Sequence, residues 1–255
     1  MRAPEELLRL TEAYLANIVL APELGAQQES MRYALEGGKR IRAVICLATA
    51  EAAGIEPEAA LAAAAALELV HAFSLVHDDL PALDDDDERR GRASAHIAFG
   101  EGIALLAGDG LLVEAFRLAL TYPTPAAARE LADATLGMIG GQYLDITGAD
   151  ADLEALHRLK TGRLFAASVG LALCVAEVPE TEQAPWRAFG EELGLLFQIV
   201  DDVIDGDGYA ARLGVDEARD LAEEAAACAR RALDAIVADT SVLCAIIDGL
   251  VVRTA

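Results

Sequence analysis

The amino-acid sequence predicts an all-α fold, a large helical bundle built by one domain over residues 1–255. Hydrophobic residues make up 54% of the chain but aromatic residues only 5%. Much of the apolar content is alanine and leucine, which are strong helix formers. No stretch shows the sustained alternation of apolar and polar residues that a sheet requires. Since no linker, low-complexity tract or repeat divides the chain, we expect a single bundle.

The predicted helix boundaries follow the positions of glycine and proline. Breaks coincide with Pro22, with the pair Gly37–Gly38, with Pro81 and with the segment 206–208. The predicted helices are 4–20, 27–36, 39–53, 57–79, 102–120, 125–147, 160–176, 185–206, 214–238 and 240–253. Several of them are apolar nearly all round, which is typical of the centre of a large bundle or of a subunit interface. We therefore expect a central helix ringed by others, and a homodimer.

The net charge of −23 bounds the possible partners. It repels nucleic acid and anionic lipid, and an anionic substrate would need a local basic patch or a metal ion. Four cysteines lie far apart without metal-ligand or disulfide spacing, which indicates a reduced cytoplasm. Residues 1–10 carry the acidic Glu5 and Glu6 where a signal peptide needs its apolar stretch. The most apolar stretch, Ala59–Leu67, lies between Glu58 and Glu68 and is too short to span a bilayer. We expect a cytoplasmic protein with no transmembrane segment.

Two aspartate-rich segments lie in otherwise apolar sequence. Residues 77–87 read HDDLPALDDDD, and residues 198–205 read QIVDDVID. In the first segment, Asp78 is six or seven positions from Asp84 and Asp85. That separation is roughly two turns if the helix continues.

In the second segment, Asp201 and Asp205 are one helical turn apart and share a face with Gln198. Carboxylates crowded at the end of a buried helix need a counter-charge. All-oxygen sites suit Mg²⁺, usually shared with substrate phosphate, and the aspartates lack the alternate spacing of a calcium loop. The alternative is two solvated acidic segments, and either segment alone would favour it.

Lysine is rare in this chain, because 18 of the basic residues are arginine and only Lys39 and Lys160 are lysine. Lysine and arginine are not interchangeable where a compact ammonium meets a phosphate. The first lysine lies in GGKRIR at 37–42, where two glycines precede a predicted helix N-terminus, a ready anion site. Lys39 and Arg42 are three residues apart and point the same way, while Arg40 does not.

Two further basic segments follow. The segment ERRG at 88–91 places Arg89 and Arg90 about 100° apart if it is helical, so that they can grip two anions. Lys160 is followed by Thr161. The alternative for each basic residue is a surface ion pair with one of the 43 acidic residues. Together, two carboxylate clusters and three basic clusters indicate two diphosphates held by Mg²⁺ and by direct contacts. No P-loop, dinucleotide fingerprint or nucleophile elbow is present.

Six motifs between about residues 30 and 210 carry a resemblance to a known family. They are GGKRIR, HAFSLVHDDLPALDDDDERRG, HIAFGEGIALLAGD, GGQYLDI, KTGRLF and FQIVDDVID. The chain resembles the trans-polyprenyl diphosphate synthases, and the match is close to the bacterial farnesyl diphosphate synthases. The resemblance implies an isoprenoid synthase bundle of about 10–13 helices around a central cavity. It also implies a homodimer that condenses isopentenyl diphosphate with dimethylallyl or geranyl diphosphate to farnesyl diphosphate.

The resemblance implies a role for each matching residue. The ligands of three Mg²⁺ ions are Asp78 and Asp84 for two of them and Asp201 for the third, supported by Asp79, Asp202 and Asp205. The isopentenyl diphosphate site consists of Lys39, Arg42, His71 and Arg90. The allylic diphosphate is contacted by Arg89 and Lys160. The residues near the developing cation are Lys160, Thr161 and Gln198, and the same cavity is lined by Gln142 and Asp145.

The implied chemistry requires no protein nucleophile. The metal ions act as Lewis acids on the leaving diphosphate, the alkene attacks the allylic cation, and apolar walls exclude water. Phe73 lies five residues before Asp78, roughly 7.5 Å along the helix, where the family places the floor of the pocket. Phe73 with the two-residue insert Pro81–Ala82 favours a C15 product, while the small Ser74 leaves a C20 product open. Ordinary core packing is the alternative for Phe73.

One segment departs from the family pattern. Relatives continue past the second aspartate segment with about twenty residues, including a lysine that closes over the allylic diphosphate. Here 205–214 runs almost straight into the next helix. Our hypothesis is that three Mg²⁺ ions and Arg89 still suffice. The alternatives are a non-catalytic partner subunit of a heteromeric prenyl synthase, a class I terpene cyclase, and a helical scaffold protein.

Overall fold

Thirteen α-helices make up most of the chain in the computed structural model, which describes residues 1–148 and 153–254. Within those residues the only strands form one short antiparallel hairpin. The helices and strands are α1 (Pro4–Ala16), α2 (Gln27–Leu35), α3 (Ile41–Ala52), α4 (Leu61–Asp78), β1 (Glu88–Arg89), β2 (Arg92–Ala93), α5 (Ala95–Phe99), α6 (Glu101–Ala119), α7 (Ala126–Thr147), α8 (Leu153–His157), α9 (Arg163–Val175), α10 (Ala184–Asp205), α11 (Gly208–Leu213), α12 (Val215–Asp234) and α13 (Ser241–Val251). The predicted all-α fold is confirmed.

Helix α4 lies in the core and packs against α3, α6 and α9. Its small residues 63–66 are buried, which lets the neighbouring helices approach closely. The apolar stretch predicted to end at Glu68 continues past it, because Glu68 is only 3% exposed and forms an ion pair with Arg40. Pro57–Asp78 is therefore long and apolar enough to cross a bilayer by length and composition. Since 67% of its most apolar part is buried inside the protein, it has the character of a core helix.

Left-handed backbone conformations determine where α3 begins. Gly37–Gly38 have φ angles of 75° and 97°, and Arg40 has a φ of 49°. A right-handed helix does not extend back through such residues, so α3 begins at Ile41, later than predicted. A carboxylate oxygen of Glu68 accepts a hydrogen bond from the backbone N–H of Ala43 at 3.2 Å. One backbone N–H of this predicted anion site is therefore already hydrogen-bonded within the protein.

The structure contains elements that the sequence pattern does not predict. The hairpin, α5 and α11 are too short to show a periodic pattern. The predicted helix 160–176 begins only at Arg163, because a π turn, Arg158–Gly162, joins α8 to α9. A π turn holds an extra residue, and such turns are frequent at functional sites.

Two neighbouring helices carry exposed apolar side chains, which we call the α6–α7 apolar face. Its members are Leu105, Leu106, Val113, Leu136, Ile139, Tyr143 and Ile146. Val113 and Leu136 are each 67% exposed. A run of exposed apolar side chains on helices that pack together is typical of an interaction surface.

Candidate active site

A cavity of about 440 Å³ lies among α3, α4, α7 and the π turn. Apolar side chains of α4, α7 and α9 form much of its wall, with a few polar groups among them. The predicted site residues in its lining are Arg42, His71, Phe73, Ser74, Asp78, Lys160 and Thr161. Gln142, on α7, also lines it, and the Oε1 atom of this side chain is buried without a hydrogen-bond partner within the described ranges.

The first aspartate segment turns back at the end of α4. The backbone N–H of Asp84 donates to the carbonyl of Asp78 at 2.9 Å, so a turn brings the two residues together. Helix α4 ends at Asp78, close to the predicted end at residue 79, so the helix does not continue to Asp84. Burial raises the pKa of the Asp78 carboxyl from 3.8 to about 6; Lys160 opposes this shift and the charge of Asp84 adds to it. A cation bound beside this partly buried carboxyl group would stabilise its charged form.

Arg89 is bound to two carboxylates of the same segment. Its Nε atom donates to Oδ1 of Asp79 at 2.8 Å, and its Nη2 atom donates to Oδ2 of Asp86 at 2.9 Å. Asp79 is only 3% exposed. Asp79 therefore holds an arginine that the resemblance assigns to the allylic diphosphate.

Arg90 has different hydrogen-bond partners from Arg89, and the two arginines are not on a helix as the predicted separation of about 100° assumed. The two residues lie on a hairpin and its turn rather than on a helix, and Arg90 has a φ of 57°. Its Nη1 atom donates to the carbonyl of Gly37 at 3.1 Å. A Cβ atom on Gly38 would lie 2.8 Å from the same Nη1 atom. The glycine pair of GGKRIR thus makes room for the guanidinium of Arg90.

His71 is surrounded by positive charge. Removal from water lowers the pKa of this histidine well below its usual range, and nearby guanidinium groups lower it further. We call these groups the arginine cluster; they belong to Arg40, Arg42, Arg89 and Arg90. A neutral imidazole among four arginines indicates a site for an anion.

Arg42 is the buried arginine of this cluster that reaches the cavity. Burial lowers the pKa of its guanidinium to about 10. Its Nε atom has no hydrogen-bond partner in the part of the chain that the structure describes. Its guanidinium lies 4.6 Å from the ring centre of Phe165, a cation–π contact. In contrast, Arg40 is paired with Glu12 at 2.7 Å and with Glu68, so it is anchored in the structure and not open to a ligand.

Lys160 is held by α7 across the cavity wall. Its Nζ atom lies 2.5 Å from Oδ2 of Asp145. A Cβ atom on Gly141 would lie 2.4 Å from the backbone nitrogen of Lys160, so the approach of α7 to the π turn requires glycine there. The motif GGQYLD thus supplies both the space and the carboxylate that position Lys160, a role that the sequence analysis does not predict for Gly141.

The second aspartate segment lies at the end of α10. Burial raises the pKa of the Asp201 carboxyl above its usual range, and Asp205 adds to the shift. Arg253 and Lys39 oppose it, so both cations act on Asp201. The second aspartate segment does not line the cavity of about 440 Å³, but the charge of Asp201 acts on Arg42, which does. No sequence pattern points to Arg253, an isolated arginine near the end of the chain.

Gln198 and Asp202 lie apart from the main cavity. Asp202 is 2% exposed and accepts a hydrogen bond from Nε2 of Gln198 at 2.7 Å. Gln198 lines a second cavity of about 150 Å³ together with Gly162 and Gly194. Thr161 and Gln198, both predicted near the developing cation, thus line two different cavities.

The carboxylates fit a metal that arrives with its substrate. Among residues 1–148 and 153–254 no group of three or more histidine, cysteine, aspartate or glutamate side chains is arranged to hold an ion. The available donors are carboxylate oxygens whose pKa values are raised by burial, at Asp78 and Asp201. Mg²⁺ usually takes one or two carboxylates and completes its shell with water and phosphate oxygens. The donor set is therefore suited to Mg²⁺–diphosphate.

Comparison with known proteins identifies the family. The profile of the polyprenyl synthetase family matches residues 26–247. The chain is 41% identical over 209 residues to a geranylgeranyl diphosphate synthase of Cyanophora paradoxa, covering 76% of this chain and 70% of that protein. It is 37% identical over 203 residues to the farnesyl diphosphate synthase of Bacillus subtilis, covering 73% and 69%. The crystal structure of a geranyltransferase from Legionella pneumophila superposes with a TM-score of 0.87 at 31% identity, covering 98% of this chain and 96% of that one. The predicted isoprenoid synthase bundle is confirmed, and the chain belongs to the polyprenyl synthetase family of prenyltransferases.

Proposed function

We propose that this prenyltransferase is Mg²⁺-dependent and condenses isopentenyl diphosphate with dimethylallyl or geranyl diphosphate to farnesyl diphosphate. One observation carries the proposal. The largely apolar lining of the cavity of about 440 Å³ includes Arg42, whose Nε atom has no hydrogen-bond partner among the described residues, and Asp78, a carboxylate with a raised pKa. Such a cavity can hold an alkene and an allyl chain while their diphosphates meet opposite charges.

Two members of the arginine cluster, Arg42 and Arg90, are suited to the diphosphate of isopentenyl diphosphate. Arg42 offers an unsatisfied donor, and Arg90 donates only to a backbone carbonyl in the hydrogen bonds observed. Lys39 is exposed in the loop before α3 and adds an ammonium group at the end of a long side chain. Neutral His71 can donate one hydrogen bond without adding charge. These residues bind and orient the nucleophilic alkene.

The aspartate segments are suited to the allylic substrate. Asp78 and Asp84 would hold two Mg²⁺ ions and Asp201 a third, with Arg89 and Lys160 contacting the diphosphate. When bound, the metal ions stabilise the charge of the leaving diphosphate. The apolar wall excludes water from the allylic carbon. The hydroxyl oxygen of Thr161, which lines the cavity, carries a partial negative charge that favours positive charge there.

The product length depends on the floor of the cavity. Phe73 and Ser74 both line it, and the ring of Phe73 packs edge-on against His77 at 4.9 Å. The bulk of Phe73 supports a C15 product. Geranylgeranyl diphosphate is the second candidate, supported by the small Ser74 and by the mixture of farnesyl and geranylgeranyl synthases among the relatives.

Product analysis by mass spectrometry tests the proposal. Purified protein is incubated with isopentenyl diphosphate, dimethylallyl diphosphate and Mg²⁺. The products are treated with phosphatase, and the masses of the released prenyl alcohols are measured. We expect a C15 alcohol that disappears with EDTA and in the variant Arg42→Gln, while the surface variant Arg219→Gln retains it. Absence of any prenyl product at all substrate concentrations would refute the proposal.

A non-catalytic partner subunit is the candidate of a different class. It is favoured by the short connection after α10, where only two residues precede α11. Product formed by this protein alone would exclude it. Activity that requires an added active homologue would support it.

We also propose a homodimer formed through the α6–α7 apolar face. Its exposed apolar side chains would be buried by a second copy, and Ile139, Tyr143 and Ile146 also line the cavity. Light scattering should give twice the chain mass of 26.8 kDa. Val113→Glu should give a monomer, whereas Val237→Glu, at a fully exposed position elsewhere, should remain dimeric. A monomeric wild type would refute the dimer.

A further inference from the structure

Asp202 directs its carboxylate into the protein. Its Oδ1 atom accepts a hydrogen bond from Nε2 of Gln198 at 2.7 Å, and its Oδ2 atom accepts one from the backbone N–H of Tyr209 at 2.8 Å. The residue is 2% exposed. Both oxygens are thus engaged within the protein, although Asp202 directly follows the proposed metal ligand Asp201.

The short connection between α10 and α11 is built around this carboxylate. Gly208 has a φ of 42°, and a Cβ atom there would lie 2.1 Å from Oδ2 of Asp202. His157 packs on the same side, with its ring stacked on Tyr209 at 5.3 Å and its Nε2 atom 3.5 Å from Oδ2. The position of the carboxylate is therefore closely defined by its surroundings.

We propose that Asp202 is a positioning residue that fixes the orientation of the Gln198 amide, an inference that rests on the proposed function. A carboxylate accepts hydrogen bonds only, so the NH₂ group of Gln198 must face it. The carbonyl oxygen is then the end of the amide that remains for a ligand. That oxygen is the negative end of the amide dipole, and Gln198 lies beside the π turn that carries Lys160 and Thr161, so the orientation of the amide affects the charge at that end of the site.

The arrangement differs from that of a purely structural aspartate. Fastening the start of α11 requires only Oδ2, which caps the N–H of Tyr209. The hydrogen bond that Oδ1 accepts from Gln198 adds nothing to that cap. It links the short segment between α10 and α11 to a residue beside the π turn. Through these two hydrogen bonds, the conformation of the segment between α10 and α11 determines the position of the Gln198 side chain.

The variant Asp202→Asn tests this role. Asparagine has one carbonyl oxygen for the two N–H donors, so it must release Tyr209 or turn the amide of Gln198 around. We expect kcat to fall about 10-fold or more, since a hydrogen bond to a charged group is worth that factor. KM for both substrates should change little. Gly208→Ala should have the same effect by displacing the carboxylate. Asp207→Asn, an exposed position in the same connection, serves as the matched control.

A double-mutant cycle with Gln198→Ala separates positioning from general damage. If Asp202 acts through Gln198, Asp202→Asn should lower kcat in the wild type but not further in the Gln198→Ala background. Urea unfolding in EDTA gives a readout without activity, and the two substitutions should be non-additive there as well. Additive effects on kcat in an active wild type would overturn this inference alone. A wild type that makes no product would overturn the proposed function and this inference with it.

Discussion

Replacing Asp78 by asparagine should make the metal-free protein more stable. Burial raises the pKa of this carboxyl from 3.8 to about 6, so at pH 8 the folded protein carries a charge that the site disfavours. Each pKa unit corresponds to about 1.4 kcal/mol, which sets an upper limit of about 3 kcal/mol. Because the side chain keeps part of its surface in water, we expect a gain of about 1–2 kcal/mol. For a chain of this size that is a rise of about 2–8 °C in Tm.

The pH dependence of this gain has a definite sign. The folded-state pKa of Asp78 is raised, so the destabilisation is full above about pH 6 and is lost as the pH falls through 6 toward 3.8. The difference between Asp78→Asn and wild type should therefore fall to about half at pH 5.

Thermal unfolding in EDTA at pH 8 and pH 5 measures the effect of Asp78→Asn, with the exposed Asp87→Asn as the matched control. Adding Mg²⁺ and pyrophosphate should stabilise wild type more than Asp78→Asn. The reasoning is refuted if Asp78→Asn is no more stable than wild type at pH 8.

Three further predictions follow from contacts described above. Glu68→Gln should lower the free energy of unfolding in urea by about 1–3 kcal/mol, because Arg40 loses its buried counter-charge and keeps, of its two ion pairs, only that with the more exposed Glu12; an unchanged urea midpoint would contradict this. Gly38→Ala should raise KM for isopentenyl diphosphate about tenfold, since the new methyl group displaces Arg90; steady-state kinetics in which only kcat changes would argue against it. Phe73→Ala should shift the product toward C20 or longer in mass spectrometry, and an unchanged C15 product would mean that the floor lies elsewhere.

The sequence predicts the fold well because its signals are local. Alanine and leucine favour helices, and glycine or proline breaks them, so most long helices were located to within a few residues. Errors occur where several left-handed residues meet, as before Ile41, or where an extra residue is accommodated, as in the π turn. Neither feature has a strong signature in a single sequence.

The candidate site is predictable only in part. Arg42, His71 and Lys160 line the cavity as expected, because each belongs to a compact motif. The sequence does not predict a role for Arg253, because this residue comes close to Asp201 only where the chain folds back onto α10 after α13. The different environments of Asp201 and Asp202 could not be told apart either, because the packing of α11 decides which carboxylate faces inward.

The π turn between α8 and α9 makes the site depend on the exact number of residues in this segment. A π turn is an α-helical turn with one residue inserted, so deleting a single residue from 158–162 would let the helix run regularly. Every residue on the N-terminal side would then rotate by about 100° relative to α9. Lys160 would leave Asp145, although the composition and hydrophobicity of the segment would hardly change. Among homologues, a one-residue gap at this point would therefore mark loss of the site more surely than many substitutions.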